Sequence, residues 1–269
     1  MCIIMDSTNT ALFVSDRHLV AKVNLGIDTS TGAKSTAWLA NKPAGESYSV
    51  TEIVGNYVFG YTDGNFTSSR FFEPRFISLD SENRFMYVSD VFNFAIRRID
   101  MTTRINPVAA ASLINPIAYS TVTFASFSDN AHVNGIAVDS TNENIYVIAT
   151  KLNGIWKIPI PSDDSYHVPE ASWHFITSTL QAYGQIVDGD LQSSVWASPA
   201  ALSIDDHDNL YVLDYYESLI TDPSMFGGCS ANWNYALRRV NTQRQLVMAT
   251  ARRLAFREMQ TMKLVDTLL

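Results

Sequence analysis

A pattern of alternating apolar and polar residues, interrupted by a short polar turn, recurs four times along the chain. Each copy has an apolar strand that ends in aspartate, then a polar turn, and then a second strand in which an aromatic residue is followed by valine. Period-two alternation is typical of β-strands, and Asn, Asp and Ser favour the turn between them. We therefore predict four β-hairpins, whose turn aspartates are Asp6, Asp80, Asp139 and Asp205.

A third strand follows each hairpin, as AKV, IRRI, IWKI and LRRV, and a fourth is predicted in the second and last copies. A sheet of three or four strands cannot bury both of its faces alone, so repeated sheets of this kind stack as the blades of a β-propeller. A sandwich with accidental internal similarity is the alternative, but a sandwich does not need four copies of one hairpin. The stacking predicts that Tyr87, Tyr146 and Tyr211 are buried at equivalent places between sheets.

The segment from Gly60 to Asp100 resembles a complete NHL repeat, with an Asp-Gly turn, a proline, the turn aspartate, a Tyr-Val-x-Asp strand and a basic third strand. The segment from Gly184 to Asp214 resembles it again. The resemblance implies an all-β fold, an NHL-type β-propeller, of which this chain supplies about four recognisable blades of a nominally six-bladed, incomplete ring. NHL-type propellers include protein-binding, RNA-binding and enzymatic members, so the resemblance does not fix a function.

We assign residues 1–250 to the blades and residues 251–269 to a C-terminal helix outside them. After Thr250 the apolar residues recur at a helical spacing instead of every second position. Two interpretations remain open for this helix. It is either an amphipathic helix that docks on the propeller or a segment foreign to the fold.

Composition narrows the classes of partner. The formal net charge is −8, which disfavours nucleic acid, because nucleic-acid binders gather Lys and Arg against phosphates. Residues 105–128 carry no charge, but Asn, Pro and hydroxyl residues interrupt the run, so we predict no membrane span. The two cysteines are too few for a disulfide framework and leave the compartment open.

Metal chemistry is the main enzymatic possibility that the resemblance raises. Related amidating lyases hold zinc with histidines after the repeat's proline, where this chain has Arg75, Asn134 and Ala200. Asn134 also resembles the channel asparagine of calcium-dependent lactonases, but those sites need carboxylates, and the cation of Arg75 opposes a metal. We therefore predict no resident metal or cofactor, and calcium belongs only to the enzyme alternative.

Three copies end their second strand with aspartate, at Asp16, Asp90 and Asp214, whereas the third copy has Ala149. A catalytic group is needed once, whereas a structural group recurs, so we interpret these aspartates as structural. Asp90 is expected to pair with Arg97 or Arg98.

The sequence thus favours a non-catalytic scaffold that binds a protein partner through its loops. The alternative is a six-bladed propeller enzyme, either a metal-dependent lactonase or hydrolase or a lyase-like protein. No residue is assigned to catalysis. The predicted ligand-binding residues are Arg75, Asn134, and the aromatic residues Tyr166 and Trp173 of the insertion 162–179.

Overall fold

The computed structural model describes residues 2–24, 49–55, 57–65, 68–102, 120–127, 131–149, 154–162, 167–177, 187–219, 231–242 and 246–254. Within these ranges the chain forms four antiparallel sheets and no α-helix. None of the described helical segments has the length and apolar character needed to cross a bilayer. The prediction of an all-β fold built from four sheets is therefore confirmed.

Each of the first three sheets is a meander of four consecutive strands. The first contains β1 (Ile3–Met5), β2 (Ala11–Asp16), β3 (Leu19–Asn24) and β4 (Ser49–Gly55). The second contains β5 (Pro74–Leu79), β6 (Phe85–Asp90), β7 (Ala95–Asp100) and β8 (Ser120–Ser126). The third contains β9 (Val133–Val138), β10 (Asn144–Ala149), β11 (Gly154–Pro159) and β12 (His174–Phe175).

The fourth sheet has a fifth, non-sequential strand. Its meander is β14 (Pro199–Ile204), β15 (Asn209–Leu219), β16 (Ala231–Asn241) and β17 (Leu246–Leu254), and β13 (Gly189–Asp190) pairs with the outer strand β17. The second sheet has the same feature in a shorter form, because Gly64 forms an antiparallel bridge with Thr121 of β8. In both sheets the predicted Asp-Gly turn thus runs along the outer edge of the blade that follows it.

The sheets stack in chain order, and each junction is an apolar layer. β5 packs between β2 and β9, and β9 packs between β5 and β14. Tyr87 and Tyr146 are 1% and 4% exposed inside the second and third layers, as predicted. Tyr211 is only half-buried, because it belongs to the last of the four described sheets and no further described sheet covers it.

The four hairpin turns share one hydrogen-bonding scheme. Each turn aspartate accepts backbone N–H groups of the turn, as Asp80 does from Arg84 at 2.6 Å and from Phe85 at 3.1 Å. The residue three positions after the aspartate has a positive φ in every copy, where Asn and Asp are tolerated better than other side-chain-bearing residues. These residues are Asn9, Asn83, Asn142 and Asp208.

The predicted boundary of the last blade is four residues too early. β17 continues to Leu254, with Ala251 opposite Leu237 and Arg252 opposite Ala236 of β16. Residues 251–254 are therefore strand instead of helix, because the long β16 offers backbone partners beyond residue 250. The rest of the predicted C-terminal helix, 255–269, lies outside the described residues.

Candidate functional site

The antiparallel order gives the stack two different ends. The turns with the repeated aspartates, such as 80–84, lie at one end, which we call the hairpin end. The β2–β3 and β6–β7 loops and the connections into β5 and β9 lie at the opposite end. We call this the aromatic end, because a row of rings crosses it.

Adjacent rings at the aromatic end are in contact from the first sheet to the third. The centroid distances are 6.1 Å from His18 to Phe59, 5.2 Å from Phe59 to Phe72, 5.1 Å from Phe72 to Phe92 and 5.3 Å from Phe92 to His132. Separations of 4.5–7 Å are typical of interacting aromatic pairs. The loops of three sheets therefore form one continuous surface.

Several apolar side chains of this surface are open to solvent. Tyr57, Val58 and Phe59 are 76%, 51% and 61% exposed, and Phe92 is 37% exposed. We define these four residues together with Phe72 as the aromatic patch. Contiguous exposed apolar surface of this kind marks interaction sites more often than isolated exposed residues do.

Two of the loops that carry the patch are fixed by one buried carboxylate. Asp90 accepts the backbone N–H of Phe72 at 2.7 Å and the side-chain amide of Asn93 at 2.8 Å. The same Asn93 amide donates to the carbonyl of Gly60 at 2.7 Å. The patch is therefore held in place before any partner arrives.

Asp90 is itself part of a buried arginine cage. Nη1 of Arg97 donates to Asp90 at 2.9 Å, and Nη2 donates to Asp63 at 2.6 Å and to the carbonyl of Thr62 at 2.8 Å. The guanidinium lies 5.0 Å from the ring centroid of Phe71. Arg97 and Asp90 are both 0% exposed, and the predicted pairing is confirmed.

The fourth sheet contains the same cage. Arg238 donates to Asp214 at 3.3 Å and to the carbonyls of Val195 and Val187 at 2.7 and 2.6 Å, and it lies 4.0 Å over the ring of Trp196. Burial raises the pKa values of Asp90 and Asp214 and lowers that of Arg238. Because the cages recur and are enclosed, they are structural, in agreement with the interpretation of Asp90 and Asp214. Asp16 differs, since it is exposed and accepts the backbone N–H of Arg17 at 3.0 Å.

The third sheet has lost both members of this pair together. Ala149 takes the position of the aspartate, and Trp156 takes that of the arginine, since Val147 faces Trp156 as Val88 faces Arg97. Trp156 packs against Phe175 at 4.8 Å. A single remaining buried charge would be strongly destabilising, which explains why both positions differ.

No family model and no curated protein matches this sequence. Solved structures do match it, among them a protein of unknown function from Bacteroides thetaiotaomicron with 14% identity and a TM-score of 0.51. A proposed phosphatase from the same organism matches with 10% identity and a TM-score of 0.50. The fold is β-propeller-like. The matches cover 93% of this chain but 46% and 48% of those proteins, so the chain spans about half their length, and such low identities show the fold alone.

The predicted ligand-binding residues fall in different environments of this β-propeller-like fold. Arg75 borders the aromatic patch, with its guanidinium 5.9 Å from the ring centroid of Phe92 and 3.2 Å from the carboxylate of Glu73. Asn134 lies on β9 with a buried side-chain oxygen that has no hydrogen-bond partner among the described residues. Both residues lie near the start of the first strand of their sheets.

Of the two predicted aromatic anchors, Trp173 lies within the described residues. Trp173 is 8% exposed and packs 4.6 Å from Phe127, with its ring N–H donated to the carbonyl of Val168 at 3.3 Å. It therefore contributes to the core and offers little surface to a partner. Tyr166 lies outside the described residues.

Sequence reasoning did not single out the aromatic patch. The signal was the run Tyr57-Val58-Phe59, which precedes a glycine between two strands. A short apolar run of this kind is also typical of a buried strand. Only the exposure of these side chains in the structure distinguishes a surface patch from a buried strand.

One further cluster lies at the hairpin end, where Asp205, Asp206 and His207 bring ligand atoms within 4.8 Å of one another. Asp205 is already engaged, because it accepts N–H groups from His207 at 3.0 Å and from Asn209 at 2.8 Å. Burial raises its pKa, but these hydrogen bonds outweigh burial and the net pKa is lowered. We assign no metal to this turn.

Proposed function

We propose that this chain is an NHL-type propeller module that binds a protein partner through the aromatic patch and performs no catalysis. The observation that carries the proposal is the exposure of Tyr57, Phe59 and Phe92 at one end of a rigid stack. Aromatic side chains dominate the binding energy of many protein interfaces. Two cages that combine the Asp-Gly turn with the basic third strand support the NHL assignment.

Preorganisation of the loops supports the same function. Asp90 and Asn93 bind the segments that carry Phe72 and Phe59, and Phe92 donates its backbone N–H to the carbonyl of Phe72 at 3.2 Å. A preformed surface loses less conformational entropy on binding than a mobile one. The patch therefore has the properties of a recognition surface.

The chemistry of the patch indicates the kind of partner. Its centre is apolar and aromatic, whereas the half-exposed guanidinium of Arg75 lies at its border. A peptide segment with an aliphatic or aromatic anchor followed by a carboxylate would complement both features. Glu73 competes for the same guanidinium, so the apolar anchor should supply most of the affinity.

Selection of a displayed peptide library on the purified protein tests this proposal. Peptides that bind the wild type should bind Phe59→Ser at least about ten-fold more weakly. The matched control is Met248→Ser, which also removes an exposed apolar side chain, 64% exposed, but from the fourth sheet. Equal binding to wild type and Phe59→Ser, or no selected peptide that contacts the patch, would contradict the proposal.

One observation favours the enzyme alternative, namely the buried side-chain oxygen of Asn134, which has no hydrogen-bond partner in the described part of the chain. An amide oxygen is a suitable calcium ligand. The corresponding positions of the neighbouring sheets are Arg75 and Ala200, which supply no carboxylate. Calorimetric titration with calcium, together with lactone hydrolysis assays, separates the two functions, because only the enzyme would show calcium binding that Asn134→Ala abolishes.

A further inference from the structure

A row of hydrogen bonds connects neighbouring sheets at the hairpin end. The positive-φ residue of each turn binds the serine that follows the turn aspartate of the preceding sheet. Asn142 accepts the backbone N–H of Ser81 at 2.8 Å and donates to its hydroxyl at 2.7 Å. Asp208 accepts both the backbone N–H and the hydroxyl of Ser140, at 2.8 and 2.9 Å.

The same contact joins the first two sheets, where Asn83 accepts the backbone N–H of Ser7 at 3.3 Å and donates to its hydroxyl. We call the three contacts the inter-sheet ladder. It runs in one direction, since the later sheet always supplies the positive-φ residue and the earlier sheet always supplies the serine. Its two ends are therefore different, and each lacks its counterpart among the described residues.

At the start of the ladder is Asn9 of the first sheet, and at its finish is Asp206 of the fourth. Asn9 has a positive φ and is exposed. Asp206 occupies the serine position, one residue after the turn aspartate, and its side chain is 89% exposed. Within its own turn Asp206 lies 2.8 Å from Nδ1 of the exposed His207. A carboxylate cannot donate a hydrogen bond, so a ladder partner of Asp206 must have a side chain that donates. Asn9 meets that requirement, whereas an aspartate would be repelled.

The outer faces of the same two sheets carry exposed apolar side chains. On the first sheet, Ile3 and Met5 are 56% and 45% exposed, and Leu12 and Val14 opposite them are only half-buried. Their neighbours Ile4 and Phe13 point the other way, into the core shared with the second sheet. Every second residue thus leaves one face of the first sheet uncovered.

The fourth sheet has an equivalent open face. Leu246 and Met248 of β17 are 42% and 64% exposed, whereas Val247 between them is 1% exposed and packs toward the third sheet. An open cavity of about 730 Å³ lies beside these residues. It is lined mainly by polar residues of the hairpin turn 205–209 and by Arg239, together with Leu246 and Met248.

We propose that the open face of the fourth sheet binds the open face of the first sheet in a second copy of this chain. The contact would repeat the inter-sheet packing within the chain, with Asn9 of one copy on Asp206 of the other and the exposed apolar residues of the two sheets between them. Such head-to-tail contacts close into rings when the rotation allows, and two copies form the smallest ring. Pairing between the fourth sheets of two copies would instead leave the Asn9 end of the ladder without a partner and bring two acidic turns together.

Sedimentation velocity over a range of protein concentration tests the proposal directly. The wild type should form a discrete oligomer, and Met248→Asp and Met5→Asp should each shift its midpoint to at least about ten-fold higher concentration. Phe59→Asp is the control, because it places the same charge on an exposed apolar residue of the aromatic end. A wild type that stays monomeric throughout would overturn the proposal.

Mixing the two face variants identifies which faces meet. An equimolar mixture contains one interface in which both faces are wild type, so it should associate at lower concentration than either variant alone. In pairing between identical faces, at least one of the two variants would retain wild-type association by itself. That result would overturn the head-to-tail arrangement.

The assigned contact between Asn9 and Asp206 is tested by changing which of its two side chains donates the hydrogen bond. Asn9→Asp places two carboxylates together and should weaken association about ten-fold. The hairpin should still fold, because Asp208 already occupies the same position of the fourth sheet with a φ of 59°. The double variant Asn9→Asp/Asp206→Ser recreates the Ser140–Asp208 pair and should restore association. Failure of the double variant to recover would contradict the assigned contact.

Discussion

Removal of the guanidinium from the buried cage of the second sheet should destabilise the fold strongly. In Arg97→Met the side-chain volume is largely retained, but Asp90 is left at 0% exposure without its ionic partner, and the carbonyls of Thr62 and Arg70 lose their donors. Breaking a buried ion pair from one side typically costs about 3–5 kcal/mol. We expect a decrease of that size in the free energy of unfolding, measured by urea denaturation with circular dichroism.

The control is Arg84→Met, which removes an arginine that also contacts two carboxylates, at 3.2 Å from Asp80 and 2.9 Å from Glu82. Its side chain is 46% exposed, so its loss should cost less than about 1 kcal/mol. The double variant Asp90→Asn/Arg97→Met removes the uncompensated charge and should recover part of the lost stability, with a coupling of about 1–3 kcal/mol. Equal effects of Arg97→Met and Arg84→Met would refute the reasoning.

Three further outcomes follow from burial, ionisation and backbone geometry. Tyr87→Ala should cost about 3–5 kcal/mol, whereas Tyr57→Ala, at a residue 76% exposed, should leave the urea midpoint nearly unchanged; similar shifts would contradict the inter-sheet placement. Burial, with Asp139 and Asp208, raises the pKa of Tyr146 to about 12, so the fold favours the neutral phenol. The contribution of the neutral phenol to the free energy of unfolding is complete below pH 10 and is lost as the pH rises toward 12, by about 2–3 kcal/mol. Parallel profiles of stability against pH for wild type and Tyr146→Phe would disprove it. Gly64 has a φ of 141°, and an added Cβ would clash with Oγ of Ser68. Gly64→Ala should therefore lower the free energy of unfolding by about 1–3 kcal/mol in urea denaturation, and an unchanged midpoint would count against the turn geometry.

Local, repeated features were predictable from the sequence. The hairpins and their turn aspartates followed from period-two alternation and turn composition. The Asp90–Arg97 pair followed from the recurrence of an aspartate at the end of the second strand and of arginines in the third strand. The pairing of β13 with β17 was not foreseen. It joins segments distant in sequence, and a two-residue strand leaves no periodic signal.

Residues whose role depends on burial were harder to assign. Trp173 and Phe59 are both aromatic residues in connections between strands, yet the first is 8% and the second 61% exposed. The difference arises because Trp173 belongs to the buried core cluster that contains Phe127, a tertiary arrangement that no local pattern encodes. The end of β17 was missed for a related reason, since strand pairing with β16 overrides the helical spacing of residues 251–254.

The two cages offer a way to separate stability from recognition. Asp90 and Asp214 both lie at 0% exposure on an arginine, so replacing either by alanine should lower the free energy of unfolding by a similar amount. Their other partners differ. Asp90 holds Phe72 and, through Asn93, the segment before Gly60, whereas Asp214 binds the backbone of Ala197 and Ser198.

Only Asp90→Ala should therefore disturb the aromatic patch. At a temperature where both variants remain folded, peptides that bind the wild-type patch should lose about ten-fold or more in affinity for Asp90→Ala and retain it for Asp214→Ala. Surface plasmon resonance with immobilised peptide measures both affinities, and circular dichroism verifies that each variant is folded. Both variants should lose a similar amount of stability, so a difference in peptide affinity between them reports on the patch. Equal affinities would show that Asp90 stabilises its sheet without preorganising the patch.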